Sequence, residues 1–247
     1  YNAIDANHVT DAEGGEWLTF GSFFGGLKIV ELDPATGEVA DGAPVLPLVD
    51  RRIQFNPVEG PSIIRNGEYY YLFAAFDYCC RGVESDYRVV VGRSTSITGP
   101  YLDRDGVSML AGGGSEVLRG YNEFQGTGHP DVYSTGGVDY FVNHYYDTLS
   151  DGTPRLNVRT LSWSDGWPTV SDPVNPSRSA GRGSAYVMPA LCAVATFLVL
   201  IFAWSQQSIS VQSAILSIGW PVLYLVTVLQ TLFMIKKLVR RQRGFSV

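Results

Sequence analysis

Hydrophobic and polar positions alternate in short runs along the first two thirds of the chain, then give way to two long apolar blocks. The alternation recurs in three similar stretches: "DANHVTDAEGGEWLTFGSF" (5–23), "EGPSIIRNGEYYYLFAAF" (59–76) and "HPDVYSTGGVDYFVNHYYD" (129–147). Each holds a polar or ionisable leading residue, a short apolar strand, a Gly turn and an aromatic-rich strand. A further alternating run follows each one: "LKIVELD", "YRVVVGRS" and "RLNVRTLSW". The spacing from leading residue to aromatic run is 12 residues for Asp5 to Trp17, and 11 for Glu59 to Tyr70 and for His129 to Tyr140. Period-two runs rich in Val, Ile, Tyr and Phe and bounded by Gly/Asn/Asp turns predict antiparallel meanders.

Meanders repeated at this interval predict blades of a β-propeller, with the first strand of each blade innermost. The fold class expected is therefore all-β. In a propeller Asp5, Glu59 and His129 would occupy equivalent positions and converge on one central site. The competing reading makes Asp5 and Glu59 turn caps and His129 a core histidine. Their shared repeat phase favours a site, although repeats also bring equivalent residues together for packing alone.

The apolar blocks are "VMPALCAVATFLVLIFAW" (187–204) and "ILSIGWPVLYLVTVLQTLFMI" (215–235), uncharged runs of 18 and 21 residues. Each is long enough to span a bilayer as a helix, so a transmembrane hairpin is expected over 187–235 and membrane association with it. The resulting division is a β-propeller domain over 1–172, a Pro/Ser/Gly/Arg linker over 173–186, two membrane helices, and a basic tail over 236–247. The tail's "KKLVRRQR" favours a cytoplasmic end, and two spans would then place residues 1–172 on the same side.

Charge sharpens the division. No acidic residue follows Asp172, and the net −6 with +7 beyond residue 177 leaves −13 on residues 1–177. A body this acidic argues against nucleic acid as a partner, because such binding rests on phosphate neutralisation. The glycines at 25–26 and 112–114 lack the strand-to-helix layout of a phosphate loop. Cys79, Cys80 and Cys192 are too few for a disulfide scaffold and show no zinc spacing. The adjacent Cys79 and Cys80 are open between a vicinal disulfide and buried thiols, the commoner state.

Two carboxylates across a pocket are the minimal equipment of glycoside hydrolysis: one protonates the leaving oxygen while the other activates water or attacks the sugar. The acid must hold its proton near neutral pH, through low polarity or a neighbouring negative charge. Glu59, between "FNPV" and Gly60–Pro61, has the apolar flank for this, and Asp5 would be the charged neighbour. Phe23, Phe24, Tyr78 and Tyr121 are candidate stacking faces for sugar rings, and core or blade-interface roles compete with that. Arg81 is a candidate for bonding a sugar hydroxyl, against a surface or blade-bridging ion pair.

The motifs "NAID" (2–5), "GSFFGGLKIVELDP" (21–34), "EGP" (59–61), "FDYCCRGVESDYRVVVGRSTSITGPYLDRDG" (76–106), "GGG" (112–114) and "GTGH" (126–129) resemble the arabinanases of glycoside hydrolase family 43 over roughly residues 1–172. The resemblance implies a five-bladed propeller, an inverting mechanism and hydrolysis of α-1,5-linked arabinan or arabino-oligosaccharides. It implies Glu59 as general acid and Asp5 as the group that raises its proton affinity. It also implies His129 as a histidine that holds a hydrated metal, calcium, through water, and it favours an extracellular setting against the cytoplasmic one of the charge pattern. Ala6 stands where the family has proline after "NAID". The family's general base is an aspartate near the start of the first blade, ahead of the motifs present here. At about 55–60 residues per blade, residues 1–172 hold three blades of five. The expectation is then an impaired hydrolase. The alternative is a non-catalytic carbohydrate-binding propeller attached to a membrane.

Overall fold

Short alternating strands separated by glycine turns leave little choice but antiparallel neighbours. In the computed structural model, which describes residues 1–174, twelve strands pair in sequence order into three four-stranded antiparallel sheets. The first holds β1 (Asn7–Thr10), β2 (Glu16–Phe20), β3 (Leu27–Leu32) and β4 (Leu46–Val49). The second holds β5 (Val58–Asn66), β6 (Tyr69–Phe76), β7 (Arg88–Ser94) and β8 (Ser115–Arg119). The third holds β9 (Phe124–Thr135), β10 (Val138–Asp147), β11 (Thr153–Ser164) and β12 (Trp167–Val170). The two-residue turns Gly136–Gly137 and Asp165–Gly166 have positive φ at both positions, the twist that matches a tight hairpin.

The second sheet is covered on both faces, which explains why β6 reads "YYYLFAAF" without alternation. One face sends Leu72, Ala74 and Phe76 into a core shared with Leu27, Ile29, Leu48 and Val49 of the first sheet. The other sends Tyr71 and Phe73 against Phe141, Leu161 and Trp167 of the third. Phe73 meets Phe141 edge-on at 5.8 Å, a favourable aromatic geometry.

The three innermost strands are not in the phase that the sequence spacing suggests. In β5, Glu59 faces Ala75 and Ser62 faces Phe73; in β9, Gly128 faces His144 and Asp131 faces Val142. Each strand thus inserts one extra residue, a bulge, between the paired positions. The bulged residues carry positive φ: Gly60 at 60° and His129 at 50°, with Asp5 at 59° in the matching place before β1, where Asn7 faces Thr19. Asp5, Gly60 and His129 are therefore the equivalents. Glu59 sits one residue earlier, because a bulge resets the strand's two-residue alternation.

The expected membrane hairpin over 187–235 and the basic tail over 236–247 lie outside the described residues. Among the described residues no helix is long and apolar enough to cross a membrane.

Candidate active site

The bulges bring the three sheets together at Gly60. Asp5 Oδ2 accepts a hydrogen bond from the Gly60 amide at 3.3 Å. From the other side His129 packs so closely that a Cβ on Gly60 would lie 3.1 Å from its Cγ and 3.2 Å from its Cα. Glycine is required there twice over, by its left-handed φ and by the imidazole. One layer further along the strands, Ser62 Oγ donates to Asp131 Oδ1 at 2.8 Å and the Ile63 amide donates to Asn7 Oδ1 at 3.1 Å. Asn7, Ser62 and Asp131, each two residues past Asp5, Gly60 and His129, thus stitch the first and third sheets to the second.

Glu59 is 9% exposed, and Ser22 Oγ donates to its Oε2 at 2.7 Å. Ser22 belongs to the first sheet's "GSFF" turn, which is bridged backbone to backbone to Glu59. Burial pushes the Glu59 carboxyl up, the Ser22 hydrogen bond pulls it down, the Asp5 carboxylate pushes it up and His129 pulls it down; the balance leaves it raised. Because the charged form is the one burial disfavours, Glu59 keeps its proton to higher pH than an ordinary glutamate. Asp5, Glu59 and His129 thus come together, with Asp5 reaching Gly60 rather than Glu59 itself.

Ser22 was not singled out from sequence, and neither was His144. The His144 ring lies 5.7 Å from Tyr87 and 5.4 Å from Tyr146. Burial, then the neighbouring His129, pull it down to about 4, so it is neutral at neutral pH. Its Nε2 and the Tyr87 hydroxyl are buried without a protein partner, an arrangement that suits ordered water. Among the described residues no group of three or more His, Cys, Asp or Glu side chains gathers as a direct metal ligand set.

Two loops frame this cluster. Phe23 follows Ser22, donates its amide to Val58 O at 2.8 Å, and its ring lies 5.7 Å from Tyr78 and 6.4 Å from Phe24. Phe24 is 65% exposed. Arg81 lies over the Tyr78 ring at 5.0 Å and pairs with Asp86 at 2.6 Å, so part of its charge is already engaged. Tyr121 takes the interface role: it packs on Phe124, accepts from buried Arg159 and donates to Asp172, away from Glu59. Cys79 and Cys80 are joined as a vicinal disulfide, the rarer of the two states weighed above.

The loop carrying the disulfide starts at Asp77, whose carboxylate is gripped by Arg51 and Arg88, each at 2.7 Å. Burial pushes Asp77 up, but hydrogen bonds from Arg88 and Arg51 hold it below the usual carboxylate range. A separate cavity of about 520 Å³, lined in part by Asp11, Trp17, Arg65 and Tyr70, lies at the opposite end of β5 and shares no residue with the carboxylate cluster.

Four-stranded sheets meeting at bulged inner strands, with a buried, proton-retaining carboxyl beside a carboxylate and an imidazole, define a propeller-like β protein with an acid group where those strands meet. Residues 1–168 match Glycosyl hydrolases family 43, and the chain belongs to that family. It is 41% identical over 169 residues to the extracellular endo-alpha-(1->5)-L-arabinanase 1 of Bacillus subtilis (strain 168), covering 68% of this chain and 51% of that protein. It is 39% identical over 182 residues to the extracellular exo-alpha-(1->5)-L-arabinofuranosidase ArbA of Cellvibrio japonicus (strain Ueda107), covering 70% and 52%. The solved Cellvibrio cellulosa alpha-L-arabinanase complexed with arabinohexaose superposes with a TM-score of 0.65 at 38% identity, over 69% of this chain and 57% of that one. The chain spans about half the length of the curated relatives it matches.

Proposed function

We propose that this chain carries the acid-bearing portion of an arabinanase-type glycoside hydrolase acting on α-1,5-linked arabinan or arabino-oligosaccharides. Its three sheets correspond to three blades of a five-bladed propeller, in keeping with the 57% of the arabinohexaose-bound relative's chain that they match. The observation that carries the proposal is Glu59: buried, bonded to Ser22, raised in proton affinity, and next to Asp5 and His129 where the sheets meet.

In this mechanism the Glu59 carboxyl gives its proton to the glycosidic oxygen as the C–O bond breaks, and the leaving sugar departs as an alcohol. A water attacks the anomeric carbon from the opposite face and passes its proton to a second carboxylate, so the configuration inverts. Asp5 is unsuited to that second role, since it is tied to the Gly60 amide on the acid's own strand. Its part is to raise the proton affinity of Glu59. The water-activating carboxylate is assigned to residues other than the described ones. Phe23, Phe24 and Arg81 contact the sugar chain, and His129 would hold a calcium ion through water, adding positive charge beside the acid. The relatives named as extracellular favour a setting outside the cell for this site.

The test is hydrolysis and binding by the purified 247-residue chain. Arabinohexaose is expected to bind while linear α-1,5-arabinan is cleaved at or near background. Turnover abolished by Glu59→Gln would show instead that the chain holds its own base. Absence of any arabino-oligosaccharide binding would remove the substrate assignment.

A further inference from the structure

The segment Asp77–Asp86 is unusually well tied down for an exposed loop. Asp77 is held by two arginines, and its amide donates to Pro57 O at 3.0 Å, the residue just before β5 and two before Glu59. The Tyr78 amide donates to Asp86 Oδ1 and the Asp86 amide returns to Tyr78 O, closing the loop on itself. The Arg81 amide donates to Ser85 Oγ at 3.0 Å. The Cys80 amide donates to Tyr146 Oη at 2.7 Å, which fixes the loop to the third sheet. At its centre the bond between Cys79 and Cys80 joins neighbouring residues, with Cys80 at φ 69°. A left-handed φ is costly for a residue with a Cβ and persists where the surroundings dictate it.

The place of this loop matters more than its rigidity. Tyr78 precedes the disulfide, and its ring meets Phe23, which is one residue from the serine bonded to Glu59. Cys80 is exposed and Cys79 and Tyr78 are half-buried, so soft apolar surface is left open beside two aromatic rings and a polar rim of Arg81 and Asp86. Catalysis or metal binding by these sulfurs is excluded while they are bonded to each other, since both need the thiolate. Disulfide sulfur is polarisable and packs well against C–H-rich faces, which a pentose ring presents between its hydroxyls.

We propose that the Cys79–Cys80 disulfide forms, with Phe23 and Tyr78, the rigid apolar floor of a sugar subsite next to Glu59. Its ligand is a pentose unit of the arabino-oligosaccharide, and in this it rests on the function proposed above. A floor fixed in advance lowers the ordering cost of binding a flexible saccharide.

The test titrates arabinohexaose calorimetrically into three forms of the 247-residue chain: wild type without reductant, wild type reduced and capped with iodoacetamide, and Cys79→Ser/Cys80→Ser. Both altered forms are expected to bind about fivefold to tenfold more weakly, with unchanged circular dichroism and an unchanged Glu59 titration. Affinities within twofold of wild type would overturn the subsite and leave the proposed function standing. No binding by the wild type would remove the proposed function, and the subsite with it. Unfolding of both altered forms would make the bond a structural staple and also overturn the subsite.

Discussion

Ser22→Ala removes the hydroxyl that donates to Glu59 Oε2 at 2.7 Å between two buried residues, 4% and 9% exposed. What the bond contributes depends on the charge of its acceptor. To ionised Glu59 it is worth about 1.5–3 kcal/mol, and to protonated Glu59 about 0.5–1.5 kcal/mol. The folded carboxyl is raised above its unfolded value. Its protonation therefore contributes stability that is complete below the ordinary glutamate range and is lost as pH rises through the folded value. Ser22 eases that loss by stabilising the charged form, so the variant must lose more stability at about pH 8 than at about pH 4. At about 2–4 °C per kcal/mol for a domain of this size, thermal denaturation resolves the difference. A carbon-13 titration of the side-chain carboxyl reads the same effect directly, with Glu59 holding its proton to higher pH in the variant. A stability decrement that is flat or shrinks with rising pH, or a Glu59 midpoint that falls, would show that the Ser22 hydroxyl does not favour the charged carboxyl.

Asp5→Asn should lower the Glu59 midpoint in the same titration yet leave it raised, because burial is the larger cause; an unmoved midpoint would mean the two groups do not face one another. Asp77→Asn should cost about 1–3 kcal/mol, less than a fully buried pair because Asp77 is partly exposed. Its folded carboxyl is depressed, so its contribution is present above the usual aspartate range and lost as pH falls through the folded value. Acid denaturation curves of wild type and variant should accordingly converge at low pH, and a constant offset down to the lowest pH would contradict this. Gly60→Ala should cost about 1–2 kcal/mol for the left-handed backbone alone and should displace the His129 ring, visible as shifted imidazole resonances. An unperturbed ring and an unchanged melting temperature would disprove the close contact.

The repeated meanders were legible because period-two alternation and glycine turns are local signals. Even the tight turn at Asp165–Gly166 carries its own signature in two residues. Each sheet's fourth strand was not anticipated. β4, β8 and β12 are four or five residues long, and β4 and β12 contain proline, which an edge strand tolerates because its N–H need not pair. The convergence of Asp5, Glu59 and His129 was legible, but its phase was off by one at Glu59. A bulge adds one residue without altering composition or turn chemistry, so spacing alone does not reveal it. Ser22 and the Arg51–Asp77–Arg88 clamp join residues 37, 26 and 11 positions apart, and their pairing is set by how the sheets and strands abut. The state of Cys79 and Cys80 was open for a similar reason, since it depends on a backbone turn that the surrounding loop imposes.

In the proposed function Glu59, Asp5 and His129 line one saccharide-binding mouth where the three sheets meet. The most direct measurement is a titration of the isotopically labelled 247-residue chain with arabinohexaose, followed by amide and side-chain chemical shifts. Perturbed resonances are expected to cluster at Asp5, Ser22, Phe23, Glu59, Tyr78 and His129. Perturbations confined to the cavity around Trp17 and Tyr70, or absent altogether at saturating saccharide, would contradict it.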